Sequence, residues 1–67
     1  MIVHNVQVHP VYAGHVNDHK VISEHEFKTR EDALMWAGFY NQHRDNWYIN
    51  GVAVYTGAID TETGENL

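Results

Sequence analysis

Thr29-Arg30-Glu31-Asp32-Ala33-Leu34-Met35-Trp36-Ala37-Gly38-Phe39-Tyr40 holds both the start and the body of a helix. Thr29 opens a capping-box variant. Its hydroxyl can accept from the third helical amide, the Asp32 carboxylate can reach back, and both acids suit the positive end of the helix dipole. A helix from Arg30 to about His43 follows. It ends in the polar run Asn41 to Asn46, with His43 and Arg44 placed to favour its carboxyl end. Ala33, Trp36, Ala37 and Tyr40 recur at i, i+3, i+4 and i+7, so they form the face that packs on a sheet, with two alanines permitting close approach. Met35 and Phe39 lie one turn apart and well round from that face, where a helix covering a small sheet would ordinarily carry charge.

Upstream of Thr29 the period changes from 3.6 to two. Val6, Val8 and Tyr12 alternate with Gln7, His9 and Val11, predicting a first strand over residues 2 to 13. Pro10 cannot donate to a ladder, so it is expected at an open edge or a bulge. Gly14 to His19 carries the Gly, Asn and Asp chemistry of a chain reversal. Val21, Ser23, His25 and Phe27 then alternate with Ile22, Glu24, Glu26 and Lys28, giving a second strand with one mostly acidic face turned to solvent.

Downstream of the helix, two arrangements compete. Asn50-Gly51 is a strong hairpin signal that would pair Trp47 to Ile49 with Val52 to Tyr55. Alternatively, Val52 to Ile59 is the true strand and Trp47 to Gly51 is the connection. The second is preferred, because a three-residue strand adds little to a small sheet. Asp60-Thr61-Glu62-Thr63-Gly64 is a further turn, and residues 60 to 67 are expected to be a weakly ordered tail. The predicted fold is therefore α+β. It has a three-stranded antiparallel sheet with one helix on one face, in the order ββαβ, and room for an extra short hairpin at Asn50-Gly51.

With 67 residues the chain holds one domain with a small core, and its stability is expected to be a few kcal/mol. It has no cysteine, which excludes disulfides and thiolate metal sites and fits a cytoplasmic protein. Met1 to Val3 run straight into the strand pattern, with neither a leader nor a bilayer-length apolar span, so the chain reads as a complete, untargeted product with no membrane partner. Nine acidic residues against four basic ones give a net charge of −5. The cations Lys20, Lys28, Arg30 and Arg44 are scattered, so nucleic acid is disfavoured and a basic protein surface is the better electrostatic match. A DNA mimic would carry a denser acidic field.

The six histidines, His4, His9, His15, His19, His25 and His43, lack metal-ligand spacing. His15 and His19 share a turn that fixes no geometry, while His4 and His9 fall on opposite faces of one strand. Solvated or edge histidines are expected, and no metal or cofactor. Ser23, the single serine, lacks a nucleophile elbow, and the glycines match neither a phosphate loop nor a dinucleotide fingerprint. Asp60 and Glu62 sit in an ordinary turn. No enzymatic role is expected. The functional expectation is instead an interface, with Met35 and Phe39 as its apolar anchor and Glu24, Glu26, Glu31 and Asp32 as an acidic patch.

The run Phe27-Lys28-Thr29-Arg30-Glu31-Asp32-Ala33-Leu34-Met35-Trp36-Ala37-Gly38-Phe39-Tyr40, with the order strand, strand, capped helix, strand, resembles the small host RNA polymerase inhibitor made early by podovirus-type coliphages. Outside that run only order and size match. This chain departs from the family in its histidines, in Asn50-Gly51 and in lacking arginines on the last strand. The resemblance implies a phage-encoded protein that disables a host enzyme, RNA polymerase in that family, by occupying its surface with a sheet edge and an acidic patch. A homodimeric accessory module that buries the helix surplus against its own copy is the alternative, and a nucleic-acid-binding module is third.

Overall fold

The computed structural model describes residues 1–43 and 50–67. In chain order the elements are β1 (Ile2–Tyr12), β2 (His15–Val16), β3 (Ser23–Phe27), α1 (Arg30–His43) and β4 (Gly51–Asp60). This is an α+β fold in the expected ββαβ order, with the two-residue β2 as an added piece. β1 is the central strand. It pairs antiparallel with β3 and β2 and, over Ile2 to Pro10, with β4.

The tight reversal falls earlier than Gly14 to His19. Ala13 and Gly14 both have positive φ, 52° and 80°, and form a two-residue loop between paired Tyr12 and His15. That is the backbone handedness a two-residue hairpin needs. Asn17 to Ile22 then leave the ladder before β3 begins. Pro10 lies opposite this excursion, where its missing N–H removes no regular ladder bond, while its carbonyl accepts from Asn17 N at 2.9 Å.

A second irregularity bends β4. The register shifts between Asn5 and Val6, leaving Thr56 as the extra residue. Thr56 Oγ1 donates to the Asn5 carbonyl and accepts from Asn5 Nδ2, both at 3.1 Å. The next residue, Gly57, takes φ 114°, which a side chain would strain.

α1 crosses one face of the sheet. The core is Val6 and Val8 of β1, Ala33 and Ala37 of α1, and Ala53 of β4, with Phe27, Trp36, Tyr40 and Tyr55 packed partly around it. The helix face read from Ala33, Trp36, Ala37 and Tyr40 is thus the packing face. Close approach is essential here: a Cβ on Gly51 would meet Tyr40 Oη and Val8 Cγ1 at 3.1 Å each. Gly51 belongs to β4, paired with Pro10, and its φ is not positive, so it does not form the entertained hairpin turn. The other arm of that hairpin, Trp47 to Ile49, lies outside the described residues, as does Arg44.

The C-terminal residues turn back along β4. Asp60 N donates to the Glu65 carbonyl, Leu67 N donates to the Ala58 carbonyl, and Asn66 bridges to Ile59. No helix among the described residues is long and apolar enough to cross a membrane.

Candidate functional site

The two outer strands of the sheet are treated differently. On β4, the Asn41 side-chain amide acts as a substitute neighbour: Ala53 N donates to its Oδ1 at 2.8 Å, and its Nδ2 donates to the Ala53 carbonyl at 2.9 Å. The turned-back C-terminal residues cover the far end of the same edge. β3, like the two-residue β2, pairs only with β1 among the described residues, so this side of the sheet is the open edge.

A groove of about 390 Å³ lies between α1 and β3, lined by Phe27, Asp32, Met35, Trp36 and Phe39. Helix geometry explains it. Positions 32, 35, 36 and 39 share a stripe next to the packing face, and Trp36 belongs to both. Asn41 and Arg30 hold the opposite flank of the helix toward β4, Arg30 with its guanidinium 6.0 Å from the Tyr55 ring centre. The gap is left on the β3 side. Met35 is 69% exposed and Phe39 53%, and the Phe39 ring stands 4.4 Å from that of His43, tilted.

The groove floor is an aromatic row. Trp36 lies 5.8 Å from Phe27, 5.4 Å from Tyr40 and 4.4 Å from the His25 imidazole between ring centres. The contacts to Phe27 and His25 are tilted and that to Tyr40 is stacked, geometries that add to what apolar burial alone would do. His25 is anchored in turn by a 3.0 Å hydrogen bond to Ser23 Oγ. The floor is therefore rigid and its rim adaptable, Met35 being an unbranched thioether.

Of the residues expected to bind a partner, Asp32, Met35 and Phe39 come together here. Glu31 precedes Asp32 in the exposed first turn of α1. Glu24 and Glu26 do not join them. The pairing places Ser23, His25 and Phe27 on the helix side, so Glu24 and Glu26 project from the opposite face, where Gln7 Nε2 donates to Glu24 Oε1 at 2.7 Å. Trp36, expected only on the packing face, and Phe27, expected only as a residue of the second strand, both line the groove.

His15 and His19 are exposed as expected, whereas two other histidines correct that expectation. His9 is only 6% exposed and donates from Nδ1 to the Lys20 carbonyl at 2.7 Å. His4 Nδ1 and the Tyr55 hydroxyl are bonded at 2.9 Å. These rings are packing elements of the sheet, not solvated ones. Among the described residues no three His, Cys, Asp or Glu side chains gather closely enough to hold a metal ion. No protein-family model, no curated protein and no solved structure matches this chain.

Proposed function

We propose that this protein acts by binding a larger protein through the groove between α1 and β3, blocking the surface it covers. The observation that carries this is the pairing of a rigid aromatic floor, Phe27 and Trp36, with an exposed apolar rim, Met35 and Phe39. Buried aromatic floors beside adaptable apolar side chains are where binding energy concentrates in protein interfaces. Mechanism here is occupation: a partner side chain enters the groove, water leaves, and the body of this small domain excludes competing ligands from that surface. The resemblance over Phe27 to Tyr40 makes the process a host takeover in the bacterial cytoplasm, with RNA polymerase the first target to test. The net charge of −5 favours a basic protein surface and disfavours nucleic acid.

The test compares wild type with Met35→Glu as immobilised baits in a bacterial lysate, followed by transcription assays with purified RNA polymerase if that enzyme is retained. A protein held by wild type and lost from the variant supports docking. A chain that light scattering shows to be a dimer, converted to monomer by Met35→Glu, would replace this function with self-association.

A further inference from the structure

We infer that the occupant of this groove is a partner segment carrying one large apolar anchor flanked by lysine or arginine; this rests on the docking function proposed above. Of the four carboxylates, Glu31 and Asp32 stand on the helix turn beside the groove, while Glu24 and Glu26 project from the opposite face of β3. Among the described residues none of them meets a lysine or arginine: the ion pairs there join the terminal amine to Asp60 and Glu62. Two positive features oppose them. Lys28 follows Phe27 at the end of β3, and the start of α1 contributes roughly half a charge. Arg30 is turned away over Tyr55. The carboxylates remain in excess, and Asp32, which lines the groove itself, offers a charge beside an apolar floor.

A cation next to the anchor would meet Asp32 and Glu31 as the anchor settles between Met35 and Phe39 on Trp36. An acidic segment would meet like charge and be rejected, which is how a small surface gains specificity from charge rather than from area.

Three synthetic twelve-residue probes test this on the full-length, isotope-labelled protein by chemical-shift titration. One is a Gly/Ser peptide with a Leu-Trp anchor flanked by two lysines, the second replaces the lysines with glutamates, and the third replaces the anchor with serines. The expected result is that the lysine probe moves Met35 and Trp36 signals and binds about three- to tenfold tighter than the glutamate probe at low salt, with the gap closing as salt rises. In Glu31→Gln with Asp32→Asn, the preference should fall to within about twofold. Equal binding of the lysine and glutamate probes in the groove would overturn the charge assignment and leave docking standing. Tightest binding by the probe without an anchor, or no movement of groove signals by any probe, would also overturn it. The docking function itself is judged separately, by the Met35→Glu bait comparison.

Discussion

Asn41 concentrates in one side chain the question of how this sheet ends. Its amide gives Ala53 the donor and acceptor that a further strand would supply. Removing it leaves both main-chain groups of a buried residue without their protein partner, at a cost of about 1–3 kcal/mol. Asn41→Ala should therefore lower the urea midpoint clearly while the groove residues stay in place; an unchanged midpoint would mean water substitutes freely. From the sequence Asn41 was only the first polar residue near the end of a helix. A bond across elements is invisible to periodicity, and the same holds for His9, whose partner is a main-chain carbonyl in an irregular excursion. The parity of β3, by contrast, was open to inspection. Once Phe27 faces the helix, period two sends Glu26 and Glu24 to the other side, so only part of the acidic patch can serve the groove.

At the level of elements, α1 was the most legible because its signals agree: a threonine cap, acids in the first turn and alanines at i and i+4. The hydroxyl half of the capping box is formed, with Asp32 N donating to Thr29 Oγ1 at 3.1 Å. Thr29→Ala should cost about 1 kcal/mol, read as a lower thermal midpoint. The β1–β2 hairpin was misplaced for a physical reason. Its loop uses Ala13 at φ 52°, a conformation that alanine adopts only at a cost of roughly 1–2 kcal/mol, whereas the residues with turn chemistry, Asn17 and Asp18, lie in the excursion beyond it. Ala13→Asn should accordingly stabilise the protein by several tenths of a kcal/mol, seen as a raised urea midpoint at unchanged slope. A loss of stability on that change would show the turn is held by contacts rather than by backbone preference.

For the molecule as a whole, the governing fact is how little is buried. The buried apolar residues among those described are three valines and three alanines, Val3, Val6, Val8, Ala33, Ala37 and Ala53. Larger apolar side chains, Met35 and Phe39 among them, remain on the surface. Met35→Glu should thus leave stability within about 0.5 kcal/mol while abolishing partner capture, separating a docking residue from a folding one. The fold class, the helix and the exposed position of Met35 and Phe39 away from the packing face were legible in the sequence. Trp36 was assigned to the packing face alone, because a residue shared between core and groove carries the same apolar signature in either place. The most direct measurement is amide hydrogen exchange on this chain alone and with the protein it retains from a bacterial lysate. Docking through the groove predicts new protection centred on Phe27 and on Asp32 to Phe39. Protection confined to the opposite face of the sheet, which carries Gln7 of β1 and Glu24 of β3, or no retained protein at all, would contradict it.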